Sequence, residues 1–305
     1  TEPTTLLELR GKVVLIDFWT YSCINCIRTL PYLQEWHETY KDNGFVLLGV
    51  HSPEFEFEKK PENVKDAVQE HGLTYAIALD PEHGTWRAFE NRFWPAHYLI
   101  DAQGNIRYTH FGEGRYAETE QAIQALLVEA GLLTVEQAVQ PQEPLSQVDF
   151  QQIGTPELYL GASRLSNIGN PIEGVFVGQA HEFTEPEEVQ LNYFYLVGNW
   201  RLQQEYAEFN EGQGKILLRY KASKVNMVLE SATGNAIPIE IKLDGEYVTT
   251  ANKGADVVLE NGKAVVQVQE PDLYNLVDTQ DQYEEHTVEI IIPEEGLQAF
   301  TFTFG

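Results

Sequence analysis

The chain has 305 residues, a length that allows two domains with separate hydrophobic cores. Its 47 acidic residues against 20 basic ones give a formal net charge of −27, which argues against nucleic acid or an anionic lipid surface as a partner. Hydrophobic residues make up 43% and charged residues 22%, as in ordinary globular proteins, and no apolar run approaches the roughly 18 residues of a membrane-spanning helix.

The first predicted elements are a buried strand and an amphipathic helix. The apolar run Val13–Phe18 indicates the strand. After it, apolar residues recur at helical spacing, at Ile24, Ile27, Leu30, Leu33 and Trp36. Pro31 should kink this helix, because proline lacks an N–H and clashes with the preceding turn. The turn between strand and helix contains the only two cysteines of the chain, in the motif Cys23-Ile24-Asn25-Cys26.

The spacing of the two cysteines indicates thiol–disulfide exchange. Cys23 lies near the helix N-terminus, where unpaired N–H groups and the helix dipole favour an anion, so we expect a stabilised thiolate. Cys26 lies on the first helical turn, within reach of the Cys23 sulfur. A zinc site is disfavoured, because the sequence has no further cysteine and no histidine pair at metal-binding spacing. A purely structural disulfide is also disfavoured, since closing so short a loop removes little chain entropy.

An acidic residue interrupts the predicted strand at Asp17, six residues before Cys23. A carboxylate is costly to bury in an apolar strand, which favours a functional role. A desolvated acid can accept or return a proton during exchange near neutral pH. The alternative is that Asp17 ends the strand and faces solvent.

The rest of the first 133 residues predicts an α/β domain. In chain order we expect a strand, a helix, a strand, a short helix, a β-hairpin and a helix, at Phe45–Val50, Glu62–His71, Tyr75–Leu79, Asp80–Glu90, Tyr98–Ile100 with Ile106–His110, and Thr119–Ala130. Residues 134–157 are rich in Gln, Glu and Pro and have weak periodicity, which indicates a linker.

From residue 158 onwards the sequence predicts an all-β domain. Alternating runs separated by turn residues predict strands at Gly174–His181, Leu191–Val197, Trp200–Phe209, Lys215–Tyr220, Val225–Leu229, Ile237–Leu243, Ala255–Leu259, Ala264–Val268, Thr287–Ile292 and Ala299–Phe304. Strands of this number without a long helix indicate a jelly roll or another β-sandwich. Exposed aromatic rings could stack on sugars, whereas buried rings belong to the core; the candidates are Tyr193, Tyr195, Trp200, Tyr206 and Tyr274.

The motifs of the first domain resemble the thioredoxin superfamily. The resemblance rests on the spacing of Asp17-Phe18-Trp19, Cys23-x-x-Cys26 and Pro31. It implies that Cys23 attacks a substrate disulfide and that Cys26 resolves the resulting mixed disulfide. It also implies that Asp17 handles the proton of Cys26.

A second motif resembles the TlpA/ResA-like branch of that superfamily. It is Trp94-Pro95-Ala96-His97-Tyr98-Leu99-Ile100-Asp101. The resemblance implies that Pro95 is a cis-proline that faces the two sulfurs and helps to dock the substrate. It also implies substrate binding by Trp19, Trp94 and Ala96. An ordinary trans-proline at the start of a strand is the alternative.

Both halves together resemble the soluble part of DipZ-type proteins. The resemblance rests on the two motifs above and on His110–Gly114, Thr155–Gly161 and Phe300–Gly305. It implies a thioredoxin-like domain followed by a carbohydrate-binding-module-like β domain, usually fused to a CcdA-like membrane domain. We therefore expect a redox domain at residues 1–133, a linker at 134–157 and a β-sandwich or jelly-roll domain at 158–305.

The same resemblance implies a function. It predicts a periplasmic or otherwise extracytoplasmic thiol–disulfide oxidoreductase, tethered to a membrane in its full length, that passes electrons from a CcdA-like donor to protein disulfides. No cofactor or metal is expected beyond the Cys23–Cys26 disulfide, and carbohydrate is a further candidate ligand. Alternatives are an oxidant or isomerase, a carbohydrate-binding or adaptor protein with an incidental C-x-x-C, and a weak peroxidase that uses Thr20, three residues before Cys23.

Overall fold

The protein folds into two compact units. The structure is a computed structural model that describes residues 5–138 and 148–305. The first unit ends at Gln147 and the second begins at Val148. Residues 139–147 of the predicted linker lie outside the described residues. Before them, Val135–Gln137 forms a single 3₁₀ turn.

A five-stranded mixed sheet forms the centre of the first unit. Its strands are β1 (Val13–Trp19), β2 (Phe45–His51), β3 (Ala76–Leu79), β4 (Ala96–Ile100) and β5 (Ile106–Phe111). They lie in the order β3-β2-β1-β4-β5. The first three are parallel, β4 is antiparallel to β1, and β5 is antiparallel to β4. The predicted strands and the predicted hairpin are confirmed, with ends that differ by a few residues.

The described residues of this unit form four α-helices: α1 (Ile24–Tyr40), α2 (Pro61–Glu70), α3 (Gly84–Ala88) and α4 (Tyr116–Glu129). Pro31 lies inside α1, which continues through it as a single helix. The hydroxyl of Tyr40, the last residue of α1, donates to Glu120 Oε1 at 2.7 Å. The same hydroxyl accepts from Gln124 Nε2 at 2.8 Å, so two residues of α4 hold the end of α1.

Strand β1 is buried on both of its faces. Because alternate side chains of a strand point to opposite sides, its residues supply two different environments. Val14, Ile16 and Phe18 share one side, where they form a hydrophobic cluster with residues of β4. Asp17 and Trp19 share the other side.

Twelve strands form the second unit, which confirms an all-β domain after an α/β domain. They are β6 (Leu158–Tyr159), β7 (Ala180–Phe183), β8 (Tyr193–Leu202), β9 (Ala207–Lys221), β10 (Lys224–Ser231), β11 (Ile237–Leu243), β12 (Glu246–Tyr247), β13 (Val258–Glu260), β14 (Lys263–Val268), β15 (Asp272–Asp278), β16 (Glu285–Ile292) and β17 (Leu297–Phe304). Their main order is β13-β14-β11-β16-β9-β17-β10-β15. The strand β9 also pairs with β8, which pairs in turn with β7.

The predicted strand Trp200–Phe209 is wrong, because the chain reverses in its middle. Strand β8 ends at Leu202, and the backbone N–H of Gln203 donates to the carbonyl of Tyr206 at 2.8 Å to close a tight turn. Strand β9 then begins at Ala207. This turn contains no glycine or proline, so the sequence gives no signal of it.

The predicted break at Asn210-Glu211-Gly212 is also wrong, because β9 runs through it. The pairing of β9 with β8 is irregular between Val197 and Trp200, so a bulge absorbs the turn-forming residues without ending the strand. Only the end of the predicted run Gly174–His181 is a strand, in β7. The pattern did not predict β15.

The candidate aromatic residues divide between core and surface. Trp200 is completely buried and Tyr195 is 5% exposed, so both belong to the core of the second unit. Tyr206 and Tyr274 are half-buried, and the Tyr274 hydroxyl donates to a backbone carbonyl. Tyr193 is the most exposed of the five, at 38%.

The part of the predicted linker that follows residue 147 packs on the second unit. The Thr155 hydroxyl donates to Asn192 Oδ1 at 2.6 Å and accepts from the backbone N–H of Lys221 at 2.7 Å. The N–H of Gly154 also donates to the Lys221 carbonyl. These contacts fix the chain beside β9 before the first strand of the unit.

Candidate active site

The two cysteines lie at the start of α1, in different environments. Cys23 is the N-cap residue, and its sulfur accepts a hydrogen bond from the backbone N–H of Cys26 at 3.3 Å. Cys23 is partly exposed, whereas Cys26 is buried, and both are free thiols. An incoming disulfide can therefore reach the sulfur of Cys23 but not that of Cys26. The order of attack, Cys23 first and Cys26 second, stays a prediction.

The thiol of Cys26 is hard to ionise. Burial raises the pKa of Cys26 well above its usual value, and the neighbouring Cys23 and Asp17 raise it further. Since the thiolate is the nucleophile in disulfide exchange, Cys26 needs a group that removes its proton. Asp17 is an acidic group close enough to influence it.

Asp17 does not face solvent. Its carboxyl is completely buried on the side of the sheet opposite the Phe18 cluster. Burial raises the pKa of Tyr75, and the charges of Asp17 and Cys26 raise it further, so these three groups lie together. The solvent-facing alternative for Asp17 is therefore wrong.

Two neighbouring strands shape the space around Asp17. Gly49 of β2 pairs with it on one side. A Cβ atom at Gly49 would lie 2.7 Å from Ile77 Cδ1 and 3.0 Å from the indole nitrogen of Trp19, so a side chain there would have to displace its neighbours. His97 of β4 is the partner of Asp17 on the other side.

His97 is a site residue that the sequence prediction did not single out. Its Nε2 lies 3.2 Å from Asp17 Oδ1, an ion-pair distance without the alignment of a hydrogen bond. Its ring lies beside those of Trp36 and His110, with centroids 6.2 Å and 6.0 Å away. The sequence alone could not show this contact. It follows from the pairing of the segment Pro95-Ala96-His97 with β1, and that pairing depends on the register of the sheet.

The Trp94–Pro95 peptide bond is cis, as the resemblance implied. The Pro95 carbonyl accepts from the N–H of Gly112 at 2.8 Å, and the Trp94 indole donates to the Ser52 carbonyl at 2.9 Å. Trp94 is half-buried, but Trp19 and Ala96 are completely buried. The side chain of Trp19 therefore does not reach the surface where a substrate would lie, contrary to expectation. Ala96 is paired with Phe18 of β1 and Phe111 of β5, so it lies inside the sheet.

A buried acid holds the residue before Cys23. Ser22 Oγ donates to Glu58 Oε1 at 2.6 Å, and the backbone N–H of Phe55 donates to Glu58 Oε2 at 3.0 Å. Glu58 is 1% exposed. Burial raises the pKa of Glu58 from its usual 4.5 to about 7, with a smaller contribution from the charge of Glu54. The sequence signal was an acid within the aromatic run Phe55-Glu56-Phe57-Glu58.

Thr20 is also fixed by a partner from β2. Its hydroxyl lies 3.2 Å from Nε2 of His51, in hydrogen-bond contact, and Thr20 is completely buried. Burial lowers the pKa of His51 to about 4, so its imidazole is neutral at physiological pH. The turn before Cys23 is thus held at both Thr20 and Ser22.

The described part of the chain contains no group of three or more His, Cys, Asp or Glu side chains arranged to hold a metal ion. Within residues 5–138 and 148–305, no helix is both long enough and apolar enough to cross a membrane.

Comparison with known proteins covers the whole chain. Residues 1–109 match the AhpC/TSA family, and residues 155–305 match the family described as the thioredoxin-like C-terminal domain. The chain is 36% identical over 309 residues to the protein DipZ of Mycobacterium tuberculosis. That alignment covers 100% of this chain and 40% of DipZ, so the chain spans less than half of the length of this relative.

Shorter proteins are similar to part of the chain. The thiol-disulfide oxidoreductase YkuV of Bacillus subtilis is 32% identical over 118 residues, which cover 39% of this chain and 79% of YkuV. The structure of a thiol-disulfide isomerase from Corynebacterium glutamicum is 26% identical and covers 42% of this chain and 88% of its own, with a TM-score of 0.39.

The burial of Glu58 makes stability depend on pH. Because its folded pKa of about 7 is higher than the usual 4.5, Glu58 favours the folded state below about pH 4.5, and this contribution is lost as the pH rises through 7. We expect the unfolding free energy of the wild type, relative to Glu58→Gln, to fall by about 3 kcal/mol over this range. Urea unfolding at several pH values measures it.

The matched control is Glu56→Gln, which removes a carboxyl that is 70% exposed and paired with Lys59. Its unfolding free energy should follow the pH dependence of the wild type. A pH profile of Glu58→Gln parallel to the wild type would contradict a raised pKa at Glu58.

Proposed function

This chain belongs to the thioredoxin-like thiol–disulfide oxidoreductases, and from that premise we propose that it reduces protein disulfides with Cys23 and Cys26. The observation that carries the proposal is the contrast between the two sulfurs. Cys23 caps a helix N-terminus and is accessible, whereas Cys26 is buried with a raised pKa. Cys23 is thus suited to attack the substrate disulfide, whereas Cys26 becomes a nucleophile only after a base has removed its proton.

The proposed reaction has two steps. The Cys23 thiolate attacks one sulfur of the substrate disulfide, which forms a mixed disulfide and releases the other substrate sulfur as a thiolate that takes up a proton. Cys26 then loses its proton and attacks Cys23, which forms the Cys23–Cys26 disulfide and releases the second substrate thiol. Two electrons pass from the enzyme to the substrate.

Asp17 is proposed as the base for the second step. It is buried beside Cys26, and solvent therefore cannot readily replace it as a proton acceptor. His97, 3.2 Å from the carboxyl, is proposed to position it. The two residues come from adjacent strands of a buried sheet, so their geometry is fixed before the substrate binds.

The substrate is proposed to lie along Pro95. The half-buried Trp94, which precedes the cis bond, is the part of this segment offered to an extended peptide. The Trp94 indole is held by Ser52 and the Pro95 carbonyl by Gly112, so the loop is supported from both sides.

The electron source and location are further parts of the proposal. The likeness to DipZ along the whole chain supports an extracytoplasmic enzyme that receives electrons from a CcdA-like membrane donor, in the same or another chain, and is membrane-tethered in its full length. The second unit has no cysteine, so we propose no redox chemistry for it. Its proposed role is either to restrict which substrates reach Cys23 or to bind a carbohydrate.

Trapping tests the assigned order of attack. In Cys26→Ser the sulfur of Cys23 can still attack, but no thiol can release it, so mixed disulfides with protein substrates should accumulate. Cys23→Ser should trap none, because its remaining thiol is buried. Nonreducing electrophoresis of the full chain after incubation with an oxidised protein measures both. Equal trapping by the two variants would contradict the assignment.

Removing the base should slow the second step. Asp17→Asn keeps the shape of the side chain but cannot accept the Cys26 proton, so release of the second substrate thiol should slow at least tenfold between about pH 6 and 8. Fold stability should hold or rise, since a buried carboxylate is costly. Stopped-flow kinetics measures the step, with the exposed Asp42→Asn as a control. An unchanged rate in Asp17→Asn would exclude this role.

The reduction potential tests the direction of electron flow. A reductant should lie near thioredoxin, at about −270 mV, whereas an isomerase should lie near about −180 mV and a strong oxidant near about −120 mV. Equilibration of the full chain with glutathione buffers measures it. A value above about −200 mV would support the oxidant or isomerase, and absence of exchange would support an adaptor with an inert thiol pair.

A further inference from the structure

A nearly buried ion pair lies beside the C-x-x-C motif. Arg28 of α1 binds Glu113, in the loop after β5, through two groups of its guanidinium. Nε donates to both carboxylate oxygens at 3.1 and 2.9 Å, and a terminal nitrogen donates to Oε1 at 2.7 Å. The side chains are 14% and 7% exposed. Because three hydrogen bonds hold these nearly buried groups in place, the pair is stronger than an ordinary surface salt bridge.

The guanidinium also reaches the residue that precedes Cys26. The nitrogen that binds Glu113 Oε1 donates to Asn25 Oδ1 at 2.8 Å. The Thr29 hydroxyl donates to the backbone carbonyl of Asn25, also at 2.8 Å. The positive group of Arg28 is thereby held over the first turn of α1, the turn that begins with Cys23.

The position of this cation matters for the sulfur chemistry. A positive charge near the helix N-terminus favours the Cys23 thiolate and so favours the reduced form of the pair. Stabilising the reduced form makes a disulfide enzyme more oxidising. The carboxylate of Glu113 opposes that effect by neutralising Arg28. Burial raises the pKa of Glu113, and Arg28 opposes that rise and so helps to keep the carboxyl ionised.

We propose that Glu113 is a positioning residue that keeps the Cys23–Cys26 pair reducing, by neutralising the Arg28 guanidinium held at the first turn of α1. The inference rests on the proposed function and adds to it. It assigns a redox role to Glu113, a residue that the exchange mechanism does not use. The pair acts on the sulfurs through charge and touches no substrate.

Glutathione equilibration of the full chain tests the proposal. Glu113→Gln leaves Arg28 and its bond to Asn25 in place but removes the opposing charge. The equilibrium constant should shift about tenfold toward the reduced form, equivalent to about 30 mV. Alkylation of Cys23 by iodoacetamide at pH 7 should become faster in the same variant, because more of the sulfur is thiolate. Glu113→Asp keeps the charge and should stay within threefold of the wild type.

The second variant separates charge from structure. In the double variant Arg28→Gln/Glu113→Gln both charges are absent, so the equilibrium should return to within threefold of the wild type. The control Glu118→Gln removes an exposed carboxylate that pairs with Arg115 nearby, and it should change nothing. Urea unfolding of each variant shows whether it folds.

Three results would overturn the proposal. One is a Glu113→Gln equilibrium within twofold of the wild type. Another is a shift toward the oxidised form. The third is a double variant that keeps the full shift, because the effect would then not pass through Arg28. Failure of the wild type to exchange with glutathione at all is a different result, since it would overturn the proposed function itself.

Discussion

The burial of the Asp17 carboxyl in the central strand is the constraint on which the rest of the site depends. An acid in that place is costly unless its neighbours are arranged for it. On one side of Asp17, Gly49 has no side chain. On the other side, the imidazole ring of His97 lies beside the carboxyl. The charge of the same carboxyl acts on the buried thiol of Cys26 and raises its pKa further. A carboxyl that is costly to bury thus lies where the proposed mechanism needs a proton acceptor.

The geometry of one helix turn explains why the two cysteines differ. Cys23 stands before the first turn of α1, where the chain leaves the sheet and remains accessible. Cys26 stands three residues later and points into the core, so burial raises its pKa. The backbone N–H of Cys26 donates to the Cys23 sulfur, so the first turn of the helix places a hydrogen-bond donor at the accessible sulfur.

Local pattern predicted the elements of the first unit and its two cysteines, because periodicity and the C-x-x-C spacing are properties of short segments. Glu58 and Glu113 escaped prediction because their partners, Ser22 and Arg28, lie 36 and 85 residues away. His97 escaped because its contact with Asp17 depends on the register between β1 and β4. In the second unit the turn at 203–206 was not predicted, because it contains no glycine or proline.

The residue before each cysteine is held by a buried acid from a distant loop. Glu58 binds Ser22 directly, and Glu113 holds Asn25 through Arg28. With Asp17, three acidic side chains therefore lie near the pair, but they do not contribute charge equally. Burial raises the pKa of Glu58 to about 7, so this acid is mostly uncharged below neutral pH. The Glu113 carboxyl is paired with Arg28 and offsets the guanidinium at the first turn of α1. Removing that offset would favour the Cys23 thiolate and with it the reduced form, so the proposed direction of electron flow depends on this ion pair.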